Sequence, residues 1–114
     1  MSSPPQEEET ARTPRARSAL ATLAAELVAH DLTFSTFVYM LPLLNSPAPI
    51  PLARLSIMIG HSYHATRNQV HRKPWFNVHP ADPVVTVSLN RAGRDKAETF
   101  LNSFDQAIRR EIAA

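Results

Sequence analysis

The chain has 114 residues, 44% of them hydrophobic, and a formal net charge of +2, which suits one compact globular domain and not two. It has no cysteine, so disulfides, thiolate catalysis and cysteine zinc sites are excluded and a reducing compartment fits. No apolar run approaches the ~20 residues of a membrane span, and the start, MSSPPQEEETARTPRAR, lacks the basic opening and apolar core of a secretion signal; no membrane partner and a cytoplasmic location are expected.

Residues 1–17 read as a disordered tail, because proline, serine, Glu7 to Glu9, Arg12, Arg15 and Arg17 cannot form a core. Residues 18–114 are expected to form the folded domain. Ser18 to His30 reads as a helix capped by Ser18, with Leu20, Leu23, Ala24, Leu27 and Val28 on the 3.6-residue period. His30, beside Asp31, is expected to contact the C-terminal end of that helix. Leu32 to Leu44 reads as a second helix capped by Thr33. Phe34, Phe37, Val38, Met40, Leu41, Leu43 and Leu44 make it apolar on most sides, which predicts burial at the centre of the core, with Pro42 near its end. Asn45 to Pro49 is a loop by composition. Ile50 can form a very short strand, and Pro51 suits the first turn of a third helix ending near Ile59.

The next stretch organises the chain. Leu55, Ile57, Met58 and Ile59 form an apolar cluster, Gly60 can turn the chain through positive φ, and Ser62 can cap a new helix. In the helix Tyr63 to Arg72, Tyr63, Thr66 and Val70 form an inward stripe, while His64, Arg67, Asn68 and His71 face outward. Helix, glycine turn and polar second helix is the plan of a helix-turn-helix. No acidic residue lies between Asp31 and Asp82, an interval that holds Arg54, Arg67, Arg72, Lys73, His61, His64, His71 and His79. A basic, acid-free middle is the footprint expected where a phosphate backbone docks, and the solvated face of a structural helix is the plain alternative.

Pro74 ends the polar helix. Trp75 to His79 and Val84 to Leu89 read as two strands, the second by its alternation, joined by a turn through Pro80, Asp82 and Pro83. This is the β-hairpin called a wing. Asn90 caps a last helix running to about Ile112, with Ala97, Phe100, Leu101, Phe104, Ala107, Ile108 and Ile112 as its apolar stripe. That helix is longer than one small core can cover, so its far half is expected to meet the first helix or another subunit. The predicted fold class is mainly α with a small β-hairpin (α+β), a winged helix-turn-helix.

Residue chemistry assigns roles on this plan. Arg67 can pair with guanine O6 and N7, and Asn68 with adenine N6 and N7. His64 and His71 can donate to base edges or phosphates. Arg54, Arg72 and Lys73 suit phosphates, as do Ser62 and the free backbone N–H groups beside it. His61 and His64 are three residues apart, but zinc needs more ligands than this spacing supplies, so no metal is expected. Two glycines in the whole chain leave no phosphate-cradling loop, and no motif arranges serine, histidine and aspartate for catalysis, so no enzyme and no cofactor is expected.

Over residues 32 to about 101, the chain resembles winged-helix transcription regulators of the MarR type. Leu32-Thr33 with Phe37, Met40, Leu41 and Leu43 is similar to the family's helix that opens on Leu-Thr. Leu55-Ser56, Ile59-Gly60 and Ser62 are similar to its helix, turn and recognition-helix cap. The run from Val84 to Arg94 is similar to its wing strand and following helix start, with Asn90 where threonine usually stands. The resemblance implies a homodimer that sets two recognition helices, residues 62–72, into successive major grooves of a pseudo-palindromic double-stranded DNA operator, most simply as a repressor. It implies dimer contacts on the terminal helices, here Leu20, Leu23, Leu27, Phe100, Phe104, Ile108 and Ile112, and leaves room for a small apolar effector. The chain departs from the family in having no arginine in the wing, where His79 is the one substitute in reach, and in carrying Lys73-Pro74-Trp75 where the family has a glycine. The missing wing arginine keeps open a second function, a winged-helix adaptor that binds protein.

Overall fold

A computed structural model describes residues 4–80 and 83–113 of the chain. Its elements are α1 (Pro4–Ala29), α2 (Phe34–Leu44), β1 (Ile50–Pro51), α3 (Leu52–Ile59), α4 (Tyr63–Arg72), β2 (Phe76–His79), β3 (Thr86–Leu89) and α5 (Arg91–Ala113). They belong to two compact units, Leu32–Thr99 on one hand and Met1–Asp31 with Phe100–Ala114 on the other. Winged helix-turn-helix architecture occupies the first unit.

In that unit, α2 starts as expected. The Thr33 hydroxyl accepts from the Thr36 backbone N–H at 3.2 Å, which satisfies one free donor of the first turn. Thr36, Phe37, Tyr39, Met40 and Leu43 are buried, but Phe34 and Leu41 are exposed. The expectation of a helix buried on all sides is therefore corrected: one stripe of α2 faces outward although its residues are apolar.

The wing is larger than a hairpin. β2 and β3 pair antiparallel, Phe76 with Leu89 and Val78 with Val87, and β1 joins the other edge of β3, Ile50 with Val87 and Pro51 with Thr86. The result is a three-stranded sheet of order β1-β3-β2. Pro51 is tolerated because it stands on an edge strand, where its missing N–H leaves no ladder bond unmade. It caps α3 rather than opening its first turn, and the Leu52 N–H bonds the Val85 carbonyl at 2.9 Å. Val87 and Leu89 are buried as the alternation predicts, and the first wing strand begins at Phe76, not Trp75.

A tight junction holds the base of the wing. Asn90 donates its backbone N–H to the Trp75 carbonyl at 3.0 Å and its side-chain amide to the Pro74 carbonyl at 2.7 Å. Its side-chain oxygen accepts from the Gly93 N–H at 2.7 Å, capping α5. Gly93 lies so close to this junction that a Cβ there would sit 2.3 Å from the Trp75 carbonyl oxygen. Lys96 places its ammonium 5.6 Å from the centre of the Trp75 ring.

The second unit pairs α1 with the C-terminal part of α5. The helix expected from Ser18 begins at Pro4, so it takes in most of the segment that composition assigned to a disordered tail; residues 1–3 lie outside the described residues. Proline is accepted in a first helical turn, and Glu, Ala and Arg are strong helix formers, which offsets the low hydrophobicity of this segment. Ser18 is thus interior to the helix rather than its cap. Leu27 and Phe100 are buried in this unit, and Phe104 stacks on Phe100 at 6.1 Å. His30 lies edge-on to Phe100 at 5.9 Å and reaches Glu26 at 3.4 Å, instead of serving the α1 terminus alone. Ser103 donates to the same carboxylate at 2.6 Å, and Thr22 donates to Glu111. The chain leaves α1 through Asp31 at φ 53, a left-handed conformation that aspartate tolerates better than most residues. Among the described residues no single helix is long and apolar enough to cross a membrane.

Candidate nucleic-acid interface

The helix-turn-helix corner follows from two residues. Gly60 has φ 80 and closes α3 by donating its N–H to the Ser56 carbonyl at 2.9 Å, a conformation that is strained for any residue with a Cβ. Ser62 accepts from the Ala65 N–H at 3.1 Å and opens α4, which spans the predicted Tyr63–Arg72. Between them His61, itself exposed, brings its Nδ1 to 2.5 Å from the hydroxyl of Tyr39, a side chain buried in α2.

α4 packs on α3 and β2 through Thr66 and Val70, both buried. Thr66 satisfies its hydroxyl on the Ser62 carbonyl at 2.9 Å, so a polar side chain sits in the core without an open partner. The outer side carries His64, Arg67, Asn68, His71 and Arg72, all exposed. His64 Nε2 and the Asn68 amide are 3.3 Å apart, one helical turn along the same face. Arg54 is exposed on α3, and Lys73 is half-buried just past α4. Among the described residues, none of Arg54, Arg67, Arg72 and Lys73 takes part in an ion pair, and the sequence holds no carboxylate from residue 32 to residue 81. The face is therefore cationic and unneutralised from within.

Three expectations change. Tyr63 was expected inward with Thr66 and Val70 but is 46% exposed. It shares a row with Arg67 and His71 along a recess of 410 Å³ between α4 and the wing, walled on the other side by Val78, Pro80 and Val85. The spacing i, i+4, i+8 of these three residues is the signal that marks Tyr63 as part of the outward set. His79, the expected stand-in for a wing arginine, is half-buried with Nε2 3.0 Å from the Ser88 hydroxyl across the hairpin, so it is engaged inside the wing. Ile57 and Met58, read as part of an apolar cluster, are exposed, and Leu55 alone of that cluster is fully buried.

The expected dimer residues divide. Leu27 and Phe100 are buried within the terminal unit, and Leu23, Phe104 and Ile108 are half-buried. Leu20 is 64% exposed, and Ile112 and Val28 are each 81% exposed. Leu20, Ala24 and Val28 recur at every fourth residue, so α1 carries an exposed apolar stripe besides the face it turns to α5. Among the described residues, no group of three or more histidine, aspartate or glutamate side chains could hold a metal ion.

No family model and no curated protein sequence matches the chain. Solved structures do. The YusO protein from Bacillus subtilis superposes with a TM-score of 0.82 at 13% identity, over 98% of this chain and 85% of that one. A MarR family protein from Bacillus stearothermophilus gives a TM-score of 0.78 at 17% identity, over 94% and 78% of the two chains. The fold is that of the MarR-type winged helix. A Staphylococcus aureus MepR structure in complex with DNA shares the MarR-type fold with this chain at a TM-score of 0.71 and 14% identity, over 91% and 90% of the two chains. At these identities the likeness lies in backbone architecture, and the side chains on α4 are this chain's own.

Proposed function

We propose that the chain is a sequence-specific, double-stranded-DNA-binding transcription regulator, acting as a homodimeric repressor that occupies a promoter. In this function α4 enters the major groove. Arg67 and Asn68 read bases; His64 and His71 contact base edges or phosphates; Arg54, Ser62, Arg72 and Lys73 hold the backbone. The observation that carries the proposal is the exposed outer face of α4, where arginine, asparagine and histidine stand together with no carboxylate among them. Support also comes from the fold shared with MepR, a protein solved on DNA. The second subunit would cover the α1 stripe at Leu20, Ala24 and Val28, and two-fold symmetry would place half-sites about 10 base pairs apart or a multiple of that.

A gel-shift against genomic fragments tests the assignment. Arg67→Ala and Asn68→Ala should each weaken binding by about tenfold to a hundredfold, with thermal unfolding unchanged because both side chains are exposed. Binding by both variants equal to that of the parent would remove α4 as the reading face. The engagement of His79 inside the wing favours one second function, a protein-binding adaptor. Strong, salt-dependent retention on heparin separates DNA binding from that alternative.

A further inference from the structure

One residue on the outer side of α4 has no part in the function just proposed. Tyr63 is the first residue of that helix, directly after the Ser62 cap. Its side chain is exposed, and its hydroxyl has no hydrogen-bond partner among the described residues. The recess that it shares with Arg67 and His71 is otherwise apolar, lined by Leu52, Val78, Pro80 and Val85. A second recess bordered by the same ring is lined by Ala53, Pro83 and Val84. The remaining long side chains of the α4 face, Arg67, Asn68, His64 and His71, donate or accept hydrogen bonds. Such groups meet the same O4 acceptor on thymine and on uracil and do not sense the methyl group at C5, whereas an apolar side chain does. Of the exposed residues on α4 only Tyr63 and Ala65 are apolar, and Ala65 extends by a single methyl group.

We infer that Tyr63 reads the C5-methyl group of a pyrimidine (thymine, or cytosine methylated at C5) about one or two base pairs from the guanine that Arg67 meets. Residues four apart on a helix stand about 5–6 Å from each other, against a rise of about 3.4 Å per base pair, which sets that spacing. A recognition helix meets base edges with its N-terminal residues, and Tyr63 is the first of α4. The methyl group projects into the major groove from the same ring carbon of either base. Packing against the tyrosine ring therefore treats the two bases alike, although their hydrogen-bonding edges differ. The ring already borders apolar walls on the wing, so a methyl group laid on it takes further apolar surface out of water. The inference rests on the proposed entry of α4 into the major groove.

The test begins by selecting the full chain's preferred duplex from a randomised double-stranded library. In that duplex each thymine is replaced by uracil in turn, which removes the methyl group and keeps every hydrogen bond. At one position of each half-site the replacement should lower affinity by about fourfold, the worth of one buried methyl group. A cytosine placed there should be bound more tightly by a similar factor once methylated at C5. Tyr63→Phe should keep both differences and Tyr63→Ala should abolish them, each ratio being read within one variant so that weaker overall binding cancels. 5-Iodouracil at the same position, with iodine in place of the methyl group, should cross-link to Tyr63 of the unaltered chain under near-ultraviolet light. Equal affinity for thymine and uracil at every position, a difference that survives Tyr63→Ala, or a cross-link to another residue overturns the inference and leaves the DNA-binding proposal standing. A selection that enriches no duplex overturns both.

Discussion

The helix α4 and the wing sit side by side in one unit but use their polar groups in opposite ways. α4 is held from beneath by Thr66 and Val70, leaves Arg67 and His71 without internal hydrogen-bond partners among the described residues, and bonds Asn68 only to His64 on the same exposed face. The wing turns its polar groups inward. His79 bonds Ser88, and Asn90 bonds Pro74, Trp75 and Gly93. A side chain already bonded inside the protein must give up that bond before it contacts a ligand, whereas a solvated one exchanges only water. In the proposed function, binding chemistry would thus be concentrated on α4, with the wing as a brace packed against it through β2.

Three substitutions put pressure on this contrast. Gly93→Ala should have the largest effect. Its Cβ would meet backbone, which cannot step aside as a flexible side chain can, so a loss of up to about 3 kcal/mol in stability is expected, read as a lower urea midpoint. An unchanged midpoint would show that the base of the wing is not a tight brace. Ser62→Ala is next. It removes the α4 cap at a cost of about 1 kcal/mol, and a drop in DNA affinity that persists in Ser62→Asn, which keeps a neutral cap, would mark a phosphate contact by the hydroxyl. His79→Ala should be smallest for DNA binding, within about threefold of the parent, because the ring faces Ser88. A tenfold loss measured by anisotropy would return the wing to the reading surface.

Much of the helix-turn-helix is legible in the sequence. Gly60 and Ser62 are local signals whose physics needs no neighbour, so the ends of α4 and the turn before it agree with the expectation. Thr33 and Asn90 were legible for the same reason. What stayed hidden depends on distant partners. The short strand expected at Ile50 is there, but that it takes in Pro51 and lies on the edge of β3 depends on Val87 and Thr86 arriving beside it. Phe34, Leu41 and Met58 are apolar yet exposed, since periodicity finds a hydrophobic face but not whether anything covers it. Tyr63 was misplaced because a two-member inward stripe, Thr66 and Val70, is enough to seat a short helix. The early start of α1 was missed because a charge-rich segment reads as disorder when only hydrophobicity is weighed. For the proposed reading face, the candidate side chains were legible in the sequence, and their common exposure on α4 came from the fold.

The contact between His61 and Tyr39 has a consequence for association. A corner between two helices is ordinarily a mobile surface loop, yet here its exposed ring is tied to a hydroxyl rooted in the hydrophobic interior. The corner therefore loses its conformational freedom when the chain folds and has little left to lose on docking. In the proposed function α4 would arrive at a duplex already oriented, and the entropy of association would be correspondingly less unfavourable.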